Sequence, residues 1–346
     1  MTVNVADGGL TEFLEIVAEG GSLDAAEAQA AFDTLMSGSA SEVHMAALLM
    51  GLRVKGLTSS EVAGGVRALR RSMIPVASDD PDVLVDTAGT GGGSLTTFNI
   101  STAAAFVAAG AGASVAKHGN RSFTSRSGSA DVLEALGVRI DLTPERMSSV
   151  LRDTGMVFMF APLLHPAMRH VGPVRRALGI TTIMNILGPL TNPAGARRQV
   201  IGVADVRLLD LIPNALLALG HIRALVVHGA PGMDEVSPVG PTRVVELRDG
   251  RLEDYEVTPE ELGLEAVAPE SLAGGEPDAN GEIILDVLRG GAGPARTAVV
   301  MNAAAAILVG DLAESWGAAV ARAEQAIDQG SALASLEALR AASKAT

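Results

Sequence analysis

Residues 86–102 read DTAGTGGGSLTTFNIST, and this stretch decides the fold class of the chain. It follows the apolar, strand-like run Val83-Leu84-Val85 and leads into an Ala-rich segment of helical character. Glycines allow backbone N–H groups to approach an anion closely, and hydroxyls at a helix N-terminus add donors and a favourable dipole. The stretch therefore predicts a strand, a phosphate-binding glycine loop and a helix, in that order.

A group of cationic residues follows this loop. No charged side chain occurs from Thr87 to Ala116, and then Lys117, His118 and Arg121 arrive together within KHGNRSFTSRSGSAD, residues 117–131. This pattern favours a cationic clamp beside the phosphate site. A tight turn alone would also explain the glycines. The loop is not a P-loop, since no Gly-Lys-Ser/Thr closes it, and GTGGGS lacks the last glycine of G-x-G-x-x-G.

Composition bounds the classes of function. The chain has 346 residues, 48% hydrophobic, 19% charged and 3% aromatic, which is enough for two domains or one large one. Its net charge of −14 argues against a nucleic-acid partner, although a local cationic site can still bind a small phosphorylated ligand. There is no cysteine, and no signal-peptide pattern opens the chain. The longest apolar run, 103–116, is too short to span a bilayer, so we expect a cytoplasmic protein with no membrane partner.

Residues 10–72 have the spacing of several helices. Ser22 and Ser41 are candidate N-caps, and Thr58-Ser59-Ser60-Glu61 is a capping box. Thr143-Pro144 and Thr258-Pro259 are further helix starts. Helical patterns return over 280–308 and 312–342.

Short apolar runs separated by helical patterns predict βα units and a mostly parallel sheet. These runs are 83–85, 114–116, 156–158 and 224–227. Residues 240–255 alternate as antiparallel strands do, with Asp249-Gly250 as a hairpin turn. The fold class is therefore α/β.

Further motifs extend the pattern over nearly the whole chain. They are HPAMRHVGPVRR (165–176), NILGPLTNP (185–193), VVHG (226–229) and GMDEVS (232–237). Together with NIST and KHGNRS, in this order and spacing, they resemble the anthranilate phosphoribosyltransferase family. The resemblance implies a small all-helical domain plus a large α/β domain with a mostly parallel central sheet. It implies a helical domain of residues 1–72 with an excursion near 172–198, an α/β domain of 73–171 and 199–346, and a homodimer.

The resemblance also implies the binding residues. Those for phosphoribosyl pyrophosphate are Gly89, Gly92, Gly93, Thr97, Asn99, Ile100, Ser101, Thr102, Lys117, His118, Gly119, Asn120, Arg121, Ser122, Phe123, Thr124, Ser125 and Ser129. Those for anthranilate are Gly89, Asn120, Arg175 and His165. No classical acid or base is implied. A helix-surface arginine with a nearby carboxylate partner is the alternative interpretation of Arg175.

The GMDEVS motif matches the metal site of the family. It implies Mg²⁺ on Asp234 and Glu235, with Ser101 as the third ligand. Oxygen ligands suit Mg²⁺, which keeps waters and shares substrate phosphates. A bare Asp-Glu pair without this context would be interpreted as an acidic loop.

Two positions depart from the family pattern, and two other functions remain open. The family normally has aspartate where this chain has Gly93, and arginine where it has Thr181. The first departure removes a carboxylate near the pyrophosphate, and the second removes a cation. A pyrimidine nucleoside phosphorylase and a non-catalytic nucleic-acid-binding relative are the alternative functions; the motifs disfavour the first and the acidic charge disfavours the second.

Overall fold

The computed structural model describes residues 9–122 and 126–345. Its first helices are α1 (Thr11–Ala18), α2 (Ala25–Ser37), α3 (Glu42–Lys55) and α4 (Ser59–Ser72). The side chains of Ser41 and Thr58 cap α3 and α4, as predicted. The prediction of Ser22 as the cap of α2 is wrong. The carboxylate of Asp24 accepts the first amides of that helix instead, in a capping box with Glu27.

One seven-stranded sheet forms the centre of the molecule. Its strands are β1 (Leu84–Gly89), β2 (Ser114–Gly119), β3 (Met156–Phe160), β4 (Arg198–Gly202), β5 (Arg223–Gly229), β6 (Thr242–Arg248) and β7 (Arg251–Val257). The order is β3-β2-β1-β4-β5-β6-β7, with β1 to β5 parallel and β6 and β7 antiparallel. The mostly parallel sheet is therefore confirmed.

The direction of strand addition reverses between β1 and β4. The chain builds outward from β1 through β2 to β3, and then returns to the other side of β1 with β4 and β5. Open α/β sheets bind ligands at the carboxyl ends of the strands beside such a switch point. The glycine loop that follows β1 lies at this position.

The antiparallel hairpin is also confirmed. Asp249 and Gly250 join β6 to β7 with φ values of 51° and 74°, the positive pair that a type I′ turn requires. Tyr255 on β7 and Trp316 are the chain's only tyrosine and only tryptophan, and the indole N–H donates to the phenol oxygen at 3.2 Å.

The remaining helices surround the sheet. They are α5 (Ile100–Gly110), α6 (Ser129–Ala135), α7 (Pro144–Thr154), α8 (Ala161–Leu164), α9 (Met168–Leu178), α10 (Ile183–Leu187), α11 (Leu208–Ala218), α12 (Pro277–Leu288), α13 (Pro294–Val309), α14 (Trp316–Asp328) and α15 (Ser331–Lys344). The apolar run 103–116 is a buried helix that leads into β2, as predicted. Both C-terminal helical patterns are divided in two at glycines with positive φ, Gly290 and Gly293 in the first and Gly330 in the second. Thr258-Pro259 starts only a short 3-10 turn, Glu260–Leu262.

Two apolar cores hold these layers together. In the first, α13 packs on α5 against one face of the sheet. In the second, α1 to α4 share a core with α9, α10 and α11 and with apolar side chains of β4 to β6. Helix α10 lies within the predicted helical excursion near 172–198, and it shares this core with α4, as that excursion requires. The limits of the two domains stay a prediction. No helix in the described ranges is long and apolar enough to cross a membrane.

Candidate active site

The floor of the site consists of strand ends without side chains. Four of the five parallel strands end in a glycine, at Gly89, Gly119, Gly202 and Gly229. Gly89 and Gly202 are partners in register on β1 and β4. A Cβ on Gly202 would collide with the backbone carbonyl of Asp234, and one on Gly89 would lie 2.6 Å from Asp234 Oδ2. Glycine is therefore what allows the Asp234-Glu235 segment to lie directly on the sheet edge.

The glycine loop is bonded to this acidic segment. The amide of Gly91 donates to Asp234 Oδ2 at 2.8 Å, and the amide of Ser94 donates to the carbonyl of Gly232 at 2.9 Å. Gly91 and Gly92 have φ values of 71° and 81°, which side chains other than glycine rarely adopt. Gly93 lies outside this left-handed region. A Cβ on Gly93 would instead lie 3.0 Å from Asp234 Oδ1.

Asp234 and Glu235 lie side by side, each half-buried. Burial raises the pKa of Asp234, and burial together with the neighbouring charge of Asp234 raises the pKa of Glu235 to about 8. The backbone of Ser101, in the first turn of α5, opposes this rise in the pKa of Glu235. Two half-buried carboxylates beside the Ser101 hydroxyl form a set of hard oxygen donors that fits Mg²⁺. Since no group of three or more His, Cys, Asp or Glu in the described residues could hold a metal, substrate and water oxygens would have to complete the coordination.

Lys117 is buried beneath the glycine loop with all its donors in use. Its ammonium donates to the carbonyl of Thr87 at 2.6 Å, to Thr87 Oγ1 at 3.1 Å and to Ser101 Oγ at 3.3 Å. Burial lowers its pKa, opposed by the charges of Asp86 and Glu235. Lys117 thus joins β1, β2 and α5 to the acidic pair, and its predicted direct contact with a phosphate requires that one of these bonds open.

Asp86 is the fully buried counter-charge of Lys117. Its Oδ1 accepts the amide of His118 at 3.1 Å, and its Oδ2 accepts Gln199 Nε2 at 3.1 Å. Burial raises the pKa of Asp86, and these hydrogen bonds together with Asn192 oppose the rise. Asp86 was not predicted as a site residue, although a carboxylate inside an apolar strand is itself a signal, because a buried charge needs a partner.

His118 and His165 face each other. Their Nε2 atoms are 3.2 Å apart and their ring centroids 5.0 Å apart. Burial lowers the pKa of His118 to about 3 and that of His165 to about 4, so both rings are neutral at physiological pH. The nearby backbone of Gly188 opposes the lowering of the His118 pKa. The structure thus brings together two predicted binding residues that are separated by 47 positions in the chain.

Arg121 does not form the free cationic clamp that the sequence suggested. Its guanidinium pairs with Asp131 at 2.7 Å and Glu134 at 2.6 Å, one turn apart on α6. Asn120 and Ser129 hold the same turn, since Ser129 Oγ donates to the Asn120 carbonyl at 3.2 Å. The amide of Ser122 donates to Asp131 Oδ2 at 3.3 Å. Phe123, Thr124 and Ser125 lie outside the described residues.

Asn99 precedes α5 but its side chain does not cap that helix. Its Nδ2 donates to the carbonyl of Ser127 at 3.1 Å, and its Oδ1 accepts Asn280 Nδ2 at 2.9 Å. Ile100 and Thr102 are buried in the first turn of α5, and Thr102 Oγ1 has no hydrogen-bond partner among the described residues. Thr97 pairs with Ala273 in an isolated bridge.

Arg175 lies in the last turn of α9, half-buried. Within residues 9–122 and 126–345 its guanidinium has no ion pair or hydrogen bond, and burial lowers its pKa. Among the described residues Arg175 thus lacks the carboxylate partner that the alternative interpretation requires. Thr181, the second departure from the family pattern, accepts a hydrogen bond from Arg53 at its hydroxyl, 2.5 Å away.

The comparisons with known proteins agree with this geometry. Residues 11–73 match the helical bundle domain of the glycosyl transferase family, and residues 81–333 match its a/b domain. The anthranilate phosphoribosyltransferase of Rubrobacter xylanophilus is 50% identical over 329 residues, 95% of this chain and 96% of that protein. That of Azorhizobium caulinodans is 49% identical over 332 residues, 96% of each.

Solved structures give the same result. The anthranilate phosphoribosyltransferase of Thermus thermophilus superposes with a TM-score of 0.91 and 42% identity, covering 96% of this chain and 99% of that one. The Saccharomyces cerevisiae enzyme in complex with phosphoribosyl pyrophosphate and Mg has a TM-score of 0.87 and 28% identity, covering 96% and 97%. With half of its residues shared with named relatives along almost its whole length, this chain belongs to the anthranilate phosphoribosyltransferase family.

Proposed function

We propose that this chain transfers the phosphoribosyl group of 5-phosphoribosyl 1-pyrophosphate to the amine of anthranilate, giving N-(5-phosphoribosyl)anthranilate and pyrophosphate in tryptophan biosynthesis. One observation carries the proposal: the acidic segment of Asp234 lies on Gly89 and Gly202, bonded to the glycine loop, at the switch point of the sheet. The near-full-length relatives named for this activity support the same function.

The reaction exchanges one bond at C1 of the ribose. The anthranilate nitrogen forms a bond to C1 and loses one proton to solvent or to the leaving pyrophosphate, and the bond from C1 to the pyrophosphate oxygen breaks. The ribose becomes oxocarbenium-like while the leaving group gathers negative charge, so alignment and charge stabilisation contribute more than a strong base. The amides of Thr90 and Ser94 are bonded to the carbonyls of Gly202 and Gly232. The backbone donors that this chain offers to the leaving group are therefore the amides of Gly92 and Gly93, which make no hydrogen bond among the described residues, that of Gly91 once it leaves Asp234, and the N-terminus of α5.

Asp234, Glu235 and Ser101 are the residues that we propose for Mg²⁺. When bound, the ion would neutralise charge on the pyrophosphate. The raised pKa values of both carboxylates support the assignment, because they mark two anions that burial leaves short of positive charge. The yeast relative whose structure contains Mg supports it as well.

Arg175 is the residue that we propose for the anthranilate carboxylate. A guanidinium fork matches a carboxylate with two parallel hydrogen bonds. The support is its half-buried position with no partner in the described part of the chain. A side chain that is already desolvated and unpaired gains more from an anionic ligand than a solvated one does.

We also propose a homodimer formed through the helical layer, with a second copy of this chain as the partner. Val43 and Val54 on α3 are 75% and 80% exposed and lie three turns apart on one face. Large apolar side chains this exposed, in line on one helix, suit an interface between identical subunits. Sedimentation equilibrium of the parent and of a Val43→Glu, Val54→Glu variant tests this. A cytoplasmic location and the lack of a nucleic-acid partner stay predictions from composition.

The assay that tests the function follows the fluorescence of anthranilate. We expect it to be consumed only when phosphoribosyl pyrophosphate and Mg²⁺ are both present, and EDTA to stop the reaction. Uridine with inorganic phosphate is the arm for the nucleoside phosphorylase alternative, and a salt-titrated DNA gel shift is the arm for a nucleic-acid-binding relative. Anthranilate that persists in the complete mixture would overturn the proposal.

A further inference from the structure

Helix α13 carries one polar side chain in its buried part. Every residue from 298 to 309 is buried, and all of them except Asn302 are apolar. Asn302 is 3% exposed. A polar amide in such a position is costly unless its hydrogen bonds are made, so what it binds shows what it does there.

Its amide group is fully used. Asn302 Nδ2 donates to the carbonyl of Val236 at 2.8 Å and to the carbonyl of Ala298 in its own helix at 2.9 Å. Asn302 Oδ1 accepts the amide of Val236 at 2.9 Å. One side chain therefore satisfies both backbone groups of Val236, in the way that a neighbouring strand would.

Val236 directly follows Asp234 and Glu235. It is itself fully buried, so without Asn302 its N–H and C=O would have no solvent to bind. Asn302 also lines the same small pocket as Glu235 and Ser101. On the other side, Gly202 allows the backbone of this segment to lie on the sheet. The acidic segment is thus held between a glycine floor and the Asn302 amide.

We infer that Asn302 is the positioning residue of the metal site: by fixing the backbone of Val236 it sets the orientation of the Asp234 and Glu235 carboxylates toward Mg²⁺ and the pyrophosphate. The inference rests on the proposed function and deepens it. Groups that orient metal ligands without touching the metal typically change metal affinity by about 10- to 100-fold when they are removed.

The test compares the binding of phosphoribosyl pyrophosphate to purified protein by isothermal titration calorimetry, with Mg²⁺ and with EDTA. We expect Asn302→Ala to weaken binding in Mg²⁺ by at least about tenfold and to leave binding in EDTA and the KM for anthranilate close to parent values. Asn302→Ser keeps a hydroxyl that can bond only one of the two Val236 groups, so we expect an intermediate weakening. If the alanine variant does not fold, the Mg²⁺-dependent binding of the serine variant tests the inference.

A matched control separates positioning from stability. Ile307→Ala removes a fully buried side chain from the same helix and touches none of these hydrogen bonds. We expect it to lower the melting temperature while Mg²⁺-dependent binding stays at the parent level. Parent-like binding in both Asn302 variants, or equal weakening in Ile307→Ala, would overturn the inference. A parent protein that shows no Mg²⁺-dependent binding at all would instead overturn the proposed function.

Discussion

Asp234 Oδ2 accepts the amide N–H of Gly91 at 2.8 Å, so the acidic segment and the glycine loop share a direct hydrogen bond. That amide is one of the donors proposed for a phosphate oxygen, and that carboxylate is one of the ligands proposed for Mg²⁺. The Gly91 amide has a single proton, so it has to leave Asp234 before it can donate to a phosphate oxygen, whereas the carboxylate keeps further lone pairs for a metal ion. Binding of a phosphate to this amide therefore removes a hydrogen bond from Asp234 and couples the two sites.

The acidic pair can be tested by removing its charge with little change in shape. We expect Asp234→Asn combined with Glu235→Gln to keep the fold and to lose most Mg²⁺-dependent turnover, because neutral amides bind a hard cation poorly. Titration of activity and of phosphoribosyl pyrophosphate binding against Mg²⁺ is the measurement. Asp210→Asn, at an exposed acid on α11, is the control. A parent-like response to Mg²⁺ would mean that the pair is only an acidic loop.

The raised pKa of Glu235 predicts that the stability of the folded chain depends on pH. Its folded pKa of about 8 lies above its ordinary value of 4.5, so between these pH values the folded chain binds more protons than the unfolded chain. Ionisation of Glu235 therefore costs stability increasingly as pH rises through this window. Glutamine cannot ionise, so in EDTA we expect Glu235→Gln to be more stable than the parent, by up to roughly 3 kcal/mol at pH 7. Urea unfolding of both proteins at pH 5 and pH 8 measures this difference in the free energy of unfolding. A difference that does not grow with pH would contradict the raised pKa of Glu235.

Substitutions at Gly93 can distinguish the effect of an added charge on Mg²⁺ dependence from the effect of an added side-chain atom. Because its φ is not positive, a side chain there meets no backbone strain, but its Cβ would lie 3.0 Å from Asp234 Oδ1. We expect Gly93→Asp to shift the Mg²⁺ optimum, since a third carboxylate beside Asp234 both repels it and can bind the ion. Gly93→Ala, which adds the Cβ without the charge, is the control. Identical Mg²⁺ profiles for the two variants would show that the charge at this position is irrelevant.

Arg175 has a matched neighbour in Arg176, an exposed arginine on the same helix. We expect Arg175→Ala to weaken the use of anthranilate far more than the binding of phosphoribosyl pyrophosphate. Loss of a charge-assisted pair costs roughly 1.5–3 kcal/mol, or about 10- to 150-fold. Steady-state kinetics with each substrate varied in turn is the measurement, and Arg176→Ala should remain near the parent. An unchanged KM for anthranilate in Arg175→Ala would remove the assignment.

Local signals account for the parts of the fold that the sequence predicted. Capping side chains at Ser41 and Thr58, the Asp249-Gly250 turn and the glycine loop after β1 each act over a few residues, so their effects can be recognised without a structure. Strand β4 was missed because it opens with Arg198, whose charge is satisfied by the distant Asp311. No residue close to Arg198 in the sequence indicates that ion pair.

In the candidate site, too, local motifs were predicted and contacts between distant residues were not. The glycine loop and the Asp-Glu pair were recognised as separate motifs, but their contact joins residues 143 positions apart and depends on the register of β1 and β4. The partners of Arg121 were within reach, because Asp131 and Glu134 are three residues apart and share a helix face. Asn302 carried no local signal, since an asparagine inside an alanine-rich helix shows nothing of the backbone it will bind.

The strand-terminal glycines have a consequence for how this protein can change over evolutionary time. Gly202 supplies no functional group, yet any larger residue there would displace the backbone of Asp234. A saturation-mutagenesis library selected for growth without tryptophan should therefore find Gly202 as intolerant as Asp234 itself. Directed evolution toward other aromatic amines would have to proceed mainly through loops and helices above the sheet, because four of the five parallel strands end there in main chain and leave selection no side chain to vary.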